Sequence, residues 1–317
     1  MDKEIDELGR CKQCKSLRHK RSECPVYKVI SKYTEQSNSS YGYDYKHYDI
    51  PVYDTHCHID FVFNRFGHSG WSFKEFRSKY SFPANFKGCI GSFSDPASIS
   101  SMGIWEELLE QDGIWGTFGI HPHQAKCFDS VVEKNLRRAL AHSKAVAVGE
   151  CGLDYSLRST SPVHKQKEVF LKHIALAKEF RKPLVIHSRE AEDDLYEILS
   201  EHDMFEWRIH IHCFTGNHTQ LHRFVNEFPN TYFGFTNLVS YPSATGAHKI
   251  AESVPLDRVL LETDAPYFVP ESLRKHERFS HPGNVLFVAE EIAKLKGKDT
   301  DVILDNCRKN VRKLFNI

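Results

Sequence analysis

The 317-residue sequence has no excess charge of either sign, with 42 Lys and Arg against 42 Asp and Glu. A neutral chain has no global field to draw it onto a polyanion, so any affinity for nucleic acid must come from local patches. It also lacks an apolar run near the ~18 residues that would span a bilayer, and its start, MDKEIDELGR, is acidic and polar. We therefore expect a soluble intracellular protein with no membrane contact. A disulfide framework is missing as well. Three of the nine cysteines crowd between Cys11 and Cys24; Cys57, Cys89, Cys127, Cys151, Cys213 and Cys307 are scattered, mostly in apolar, strand-like stretches where a thiol packs as a small hydrophobe. What is abundant is histidine, with 19 residues, a side chain that titrates near neutrality and readily binds metals.

With 40% hydrophobic and 26% charged residues, the chain can bury one large core and carry an appendage. Residues 28–49 are rich in Ser, Asn and Tyr and poor in aliphatics, which separates a small N-terminal piece (1–30) from a main body (51–317) by a linker or loose docking arm over 31–50. From Pro51 onward, short apolar runs alternate with stretches of helical period. Eight runs are legible: Val52 to His58, Gly88 to Phe93, Ile114 to Ile120, Ala145 to Cys151, Leu184 to His187, Arg208 to Cys213, Thr231 to Phe235 and Val259 to Glu262. Helical spacing marks Trp105 to Gln111, Val131 to His142, Val163 to Phe180 and Arg189 to His202, and more weakly Asn217 to Glu227 and Ala244 to Ser253. An open doubly wound sheet would place a Gly-rich phosphate loop after the first strand, whereas His-Cys-His stands there. The rhythm predicts an α/β protein of the (β/α)8 TIM-like barrel type, closed by helices near 284–296 and 300–315.

Such barrels carry their chemistry at the C-terminal strand ends, and the ionisable residues fall there. His56 and His58 end the first run, Glu150 the fourth, His187 the fifth and His212 the sixth, while Asp264 follows the eighth. Residues two apart on a strand share a face, so His56 and His58 can approach one ion. The spacing alone is a moderate signal, because His121/His123 and His210/His212 repeat it and a histidine satisfied by a backbone partner is the plainer reading. Burying Glu150 or Asp264 after an apolar run without compensation would cost several kcal/mol, and a cation removes that difficulty. Four histidines and two carboxylates exceed what one four-coordinate ion needs, so two divalent ions (Mg, Mn or Zn) are expected, with Glu150 the better bridge. Two cations sharing a hydroxide suit in-line phosphodiester hydrolysis, in which Glu150 and Asp264 would serve catalysis as well as ligation.

The segments DTHCHID, GIHPH, VGECGLDY, PLVIHSRE, HCFTG and LLETDAPY resemble, in order and spacing, the TatD-type metal-dependent deoxyribonucleases over residues 51–315. The resemblance implies a TIM-like barrel with two divalent ions acting on DNA, or in some members RNA. It carries the ligand role to the same His56, His58, Glu150, His187, His212 and Asp264. One departure is SHPGNV from Ser280, where many members have Asn-Glu-Pro; the local sequence is more similar to animal TatD-domain proteins of the second type. His123, His210 and His281 are candidate substrate contacts. Asp154 could orient a ligand histidine or position water, or simply serve as a turn acid; Arg189 could clamp a phosphate oxygen, or pair with Glu192 at the surface.

Cys11, Cys14, His19 and Cys24 form C-x2-C-x4-H-x4-C, the spacing of a CCHC zinc knuckle. So short a piece cannot bury a core, and a structural Zn²⁺ would supply its folding energy. Lys12, Lys15, Arg18, Lys20 and Arg21 against Glu23 leave this span locally basic, which suits phosphate contacts. Arg18 and Lys12 occupy positions where similar knuckles carry Gly and an aromatic residue, so a non-specific tether for single-stranded nucleic acid is favoured over base readout or protein docking. The leading expectation is a nuclease whose barrel cuts and whose knuckle holds the strand. Alternatives are a hydrolase of a small phosphoester, lactone or amide, a nucleic-acid-binding protein with little turnover, and a purely structural role.

Overall fold

The computed structural model describes residues 43–68, 70–100 and 103–317. The Cys11, Cys14, His19 and Cys24 knuckle and most of the expected linker lie outside the described residues. Eight parallel strands follow one another around a single sheet in chain order: β1 (Val52–Cys57), β2 (Phe86–Phe93), β3 (Ile114–Phe118), β4 (Ala145–Asp154), β5 (Leu184–Arg189), β6 (Ile209–Ile211), β7 (Thr231–Phe235) and β8 (Val259–Leu261). These coincide closely with the eight apolar runs, because a strand covered on both faces is mainly apolar; β4 is buried at all ten positions, with Glu150 and Asp154 its charged exceptions.

The seam between the first and last strands is held by side chains as well as backbone. The Thr55 hydroxyl donates to the Leu261 carbonyl at 3.0 Å. Backbone amides cross it from Asp264 to the His56 carbonyl at 2.9 Å and from His58 to the Ala265 carbonyl at 2.7 Å. Beneath them the buried Asp54 accepts the Thr263 amide at 2.9 Å, the Thr263 hydroxyl at 2.6 Å and the His56 amide at 3.3 Å. One carboxylate thus fixes the backbones that present His56 and Asp264, and the result is a nearly closed barrel.

Crossover helices cover the outside. In Ser130–Leu140 the buried Val132, Leu136, Ala139 and Leu140 form one stripe, and the Asp129 side chain caps the start by accepting the Val131 and Val132 amides. Two short helices, Ile59–Arg65 and Phe73–Lys79, escape the periodicity reading because seven residues complete barely two turns. The second did leave a mark in the sequence, a Ser72/Glu75 capping box. The expected closing helices are present as Val285–Lys296 and Thr300–Phe315. The last one plugs the barrel floor, packing Val311, Leu314 and Phe315 against Ile90, Val185 and Leu260.

The described end of the linker is docked. The Tyr45 hydroxyl donates to Asn284 Oδ1 at 3.0 Å and the Tyr48 hydroxyl to Glu290 Oε1 at 3.2 Å, while Tyr43 and Tyr45 stack obliquely on Phe287 with centroids 4.8 and 5.5 Å away. Tyrosines read as loose are anchored by rings and hydroxyls together. No helix among the described residues is long and apolar enough to cross a membrane.

Candidate metal centre

Glu150, only 1% exposed and the sixth of the ten residues of β4, stands at the centre of the barrel mouth with its two carboxylate oxygens facing different partners. Oε2 lies 3.6 Å from His56 Nε2 and 3.8 Å from His58 Nε2, and accepts the Ser94 hydroxyl at 3.2 Å and the Ser92 hydroxyl at 3.4 Å. Oε1 lies 2.9 Å from His212 Nε2, 3.1 Å from His187 Nδ1 and 3.5 Å from His121 Nε2. Asp264 completes the first set, with Oδ1 3.2 Å from His58 Nε2 and 3.7 Å from His56 Nε2. It stands on a backbone with φ of 51°, the left-handed region that non-glycine residues seldom adopt. The six strand-end residues singled out from the sequence therefore converge.

Their electrostatics follow from a dry site crowded with imidazoles. Burial by itself would raise the Glu150 carboxyl, but His212, His121 and His187 outweigh it and hold the group well below the usual carboxylate range. Burial and the neighbouring His212 push His56 well below the ordinary histidine value, so it is neutral. For His58, burial is overcome by Asp264 and Glu150, which lift it to about 9; for His187, burial yields to Asp154 and Glu150, again giving about 9. Several polar atoms are left without hydrogen-bond partners even so: His56 Nε2, His212 Nδ1 and Asp264 Oδ1 are all buried and unsatisfied among the described residues. His56 Nε2 has carboxylate oxygens nearby at 3.6 and 3.7 Å, yet these are too long for hydrogen bonds. Each such orphan costs about 1–3 kcal/mol. A cation would satisfy His56 Nε2 and Asp264 Oδ1, and three groupings bring ligand atoms within 4.8 Å of one another: His56, His212 and Asp264; His56, His58 and Glu150; and His121, Glu150 and His187.

The centre opens into a cavity of about 570 Å³ walled by Phe61, Tyr267 and Phe268 and, elsewhere on its rim, by Arg158 and Arg189. Asp154 lies in the same cavity. Its Oδ2 is 2.8 Å from His123 Nε2 and 3.1 Å from His187 Nε2, while Oδ1 accepts the Ser156 amide and hydroxyl at 2.9 and 2.5 Å. Asp154 is thus both a turn acid and an orienter of His187, which spans from Glu150 to Asp154 through its two ring nitrogens. Burial would raise this carboxyl, but His187 and Ser156 hold it below its ordinary value. Arg189 faces the cavity, and among the described residues it makes no ion pair with Glu192, which is itself buried.

Two expectations need correction. His210 is not a substrate contact: it is 0% exposed, one layer beneath His212, and its ring lies 6.0 Å from Phe315 of the floor plug. On a strand the residue two before a mouth residue shares its face but sits deeper in the barrel. Nor does His281 line the metal cavity. Its Nδ1 accepts the Gly283 amide at 3.1 Å, its ring packs 4.9 Å from Phe82, and burial pushes it down to about 3. It borders a separate, smaller recess with Tyr45, Tyr80 and Glu277. Conversely, His121, Ser92 and Ser94 reach Glu150 without having been singled out as partners. The GIHPH segment carried the signal for His121; two serines among small residues at the end of β2 carried almost none.

Residues 53–316 match the family of TatD related DNases. Over 267 residues the chain is 43% identical to a human protein named 3'-5' RNA nuclease TATDN2; the match covers 83% of this chain and 35% of that protein, so the chain spans about a third of that relative's length. It is 32% identical over 212 residues to the 3'-5' ssDNA/RNA exonuclease TatD of a Rahnella species, covering 64% of this chain and 78% of that one. Among solved structures, the crystal structure of YJJV, a TatD homolog from Escherichia coli K12, superposes with a TM-score of 0.73 at 27% identity, covering 84% of this chain and 98% of its own. Motif order, barrel topology and the convergence around Glu150 agree with these matches, and the chain belongs to the TatD related DNase family.

Proposed function

We propose that this chain is a metal-dependent nuclease that hydrolyses phosphodiester bonds at the end of a single strand of DNA or RNA. The observation that carries this reading is the division of Glu150, whose two oxygens face two separate imidazole sets on the floor of one cavity. His56, His58 and Asp264 would hold one divalent ion and His187 and His212 the other, with Glu150 bridging. His121 lies close enough to join the second set. When bound, such ions polarise a phosphoryl oxygen and lower the pKa of water, the chemistry of two-metal phosphodiester cleavage. Mg²⁺, Mn²⁺ and Zn²⁺ all suit a set of imidazoles and carboxylates.

The chain's own residues supply the rest. Arg189 and Arg158 would grip a phosphate at the rim, and Arg189 offers the planar fork that matches its oxygens. Asp154 holds His187 in place through its Oδ2, with His123 fixing that oxygen from the other side, and so orients a metal ligand. Tyr267, 47% exposed, and Phe268 present faces on which a base can stack. A cavity of about 570 Å³ falls within the ~300–1,000 Å³ of small-ligand sites, which suits one terminal nucleotide better than a duplex. Both nuclease relatives are named for 3'-5' action, and we assign the same polarity here. In this reading residues 1–30 form a zinc knuckle on Cys11, Cys14, His19 and Cys24 that tethers the strand, residues 31–50 link it, and 51–317 form the catalytic barrel.

The test incubates purified full-length protein with end-labelled single-stranded DNA, RNA and duplex, with Mg²⁺, Mn²⁺ or chelator. Mononucleotides should be released from the 3' end of single strands in a metal-dependent manner. Glu150→Ala should lower the rate by at least about 10³-fold, since it removes ligands from both ions. Cleavage that survives chelation, or that the variant leaves intact, would overturn the reading.

A further inference from the structure

Directly below the metal-site residues lies a second buried carboxylate, Glu262, 0% exposed and 49 residues along the chain from the strand end it touches. Its Oε1 accepts the Cys213 amide at 2.5 Å and stands 3.8 Å from His212 Nδ1. Its Oε2 lies 2.8 Å from His210 Nε2, without the angle of a hydrogen bond. An enclosed carboxylate with so little direct compensation is expensive to keep. A merely structural position at the end of β8 would be better filled by an apolar residue.

Three observations indicate that the surroundings are shaped to retain it. First, Gly234 on β7 has no side chain where the carboxylate stands: a Cβ there would overlap Glu262 Oε2, Cδ and Oε1. Second, Cys213, whose amide Glu262 accepts, has φ of 44°, so the turn that carries His212 out of β6 runs through the left-handed region and needs an anchor. Third, His212 presents Nε2 to Glu150 at 2.9 Å, which leaves Nδ1 as its only other polar atom, and that atom is buried without a hydrogen-bond partner. An imidazole that gives Nε2 to a cation must carry its proton on Nδ1, and the ligand is held best when a fixed oxygen accepts that proton. Among the described residues, Glu262 Oε1 is the acceptor in place, one short movement beyond hydrogen-bond range.

We propose that Glu262 is a positioning residue: it sets the tautomer and orientation of His212 and anchors the 212–213 turn, and Gly234 is required because the carboxylate occupies the space above its Cα. His210, sealed between the floor plug and the mouth, is the neighbour of the second carboxylate oxygen. This proposal rests on reading His212 as a cation ligand.

Four variants of the chain test it: Glu262→Gln, Glu262→Ala, Gly234→Ala and the double variant Gly234→Ala/Glu262→Ala. The readouts are calorimetric Mn²⁺ titration, chemical denaturation, and kcat and KM on a labelled single strand. Glu262→Gln keeps an oxygen for the Cys213 amide, so it should fold. It should bind Mn²⁺ about 10–100-fold more weakly and lose kcat with KM nearly unchanged. Gly234→Ala should lower stability alone, and most of that loss should vanish against Glu262→Ala, where the overlapping carboxylate is gone. Wild-type Mn²⁺ affinity and kcat in folded Glu262→Gln would overturn the positioning role; a Gly234→Ala penalty of the same size in both backgrounds would overturn the cradle. Should the wild type neither bind Mn²⁺ nor cut, the metal reading of the mouth falls and the positioning of a ligand falls with it, while the stability comparison still decides whether Gly234 accommodates Glu262.

Discussion

The buried histidines of the barrel divide into those at its mouth and those sealed in its wall, and the same side chain is put to opposite ends. At the mouth, His58 and His187 face carboxylates and are lifted to about 9, while His56 beside them stays neutral and keeps an unsatisfied nitrogen. In the wall, His173 has both nitrogens satisfied by the backbone, Nδ1 donating to the Val169 carbonyl at 2.7 Å and Nε2 accepting the Ile120 amide at 3.0 Å, and burial lowers it to about 4. His281 is similarly turned to backbone and lowered to about 3. His173 is a neutral spacer with both nitrogens satisfied, whereas His210, also sealed in the barrel, has neither ring nitrogen hydrogen-bonded. Those at the mouth are held by shared acids in an arrangement that is complete only with cations.

The comparison can be broken most sharply at the mouth. Asp154→Asn keeps the volume but weakens the contacts to His123 and His187, and should lower kcat by about 10²-fold with the fold intact, as single-turnover cleavage and a melting curve will show. Near-normal kcat would return Asp154 to the role of a turn acid. A smaller effect is expected from acid on the wall. Unfolded histidine takes its proton near 6.5, whereas folded His173 does so only near 4, so the unfolded chain binds more protons between those values. The stability contributed by its neutral form is present above about pH 6.5 and is lost as pH falls through the window toward 4, by about 2 kcal/mol between pH 7 and pH 5. His173→Gln should reduce the pH slope of denaturation stability by about one proton in that window; an unchanged slope would contradict the sealed, neutral assignment. The smallest effect belongs to His281→Ala. Losing its bond to the Gly283 amide should cost about 1–2 kcal/mol of stability and leave kcat within about twofold of wild type. A large drop in kcat would mean that this residue reaches the substrate after all.

Much of the architecture was legible because parallel strands covered on both faces leave unbroken apolar runs, and all eight were visible as such. The convergence of His56, His58, Glu150, His187, His212 and Asp264 was legible for a related reason: ionisable groups ending apolar runs stand out. Spacing failed where depth mattered. His210 and His212 flank the last residue of β6 as His56 and His58 flank the last residue of β1, yet His56 stands 3.6 Å from Glu150 while His210 lies against Phe315, so the depth of each strand in the barrel decided what spacing could not. Glu262 was visible only as the last residue of a run, since its significance depends on an absent side chain at Gly234 and on a turn at Cys213. The docking of Tyr43, Tyr45 and Tyr48 was hidden in a stretch whose composition reads as loose.

By itself the sequence determined the alternation of strand and helix, the placement of acids and imidazoles at strand ends, and the zero net charge that leaves recognition to local features. These are local properties, set by periodicity and by the cost of burying a charge. Only the tertiary structure decided which histidines meet the same carboxylate, which oxygen of Glu150 each one faces, and which are sealed away. Those outcomes depend on closing the barrel and on the depth of each layer within it, and no spacing along one strand encodes the position of a residue on another.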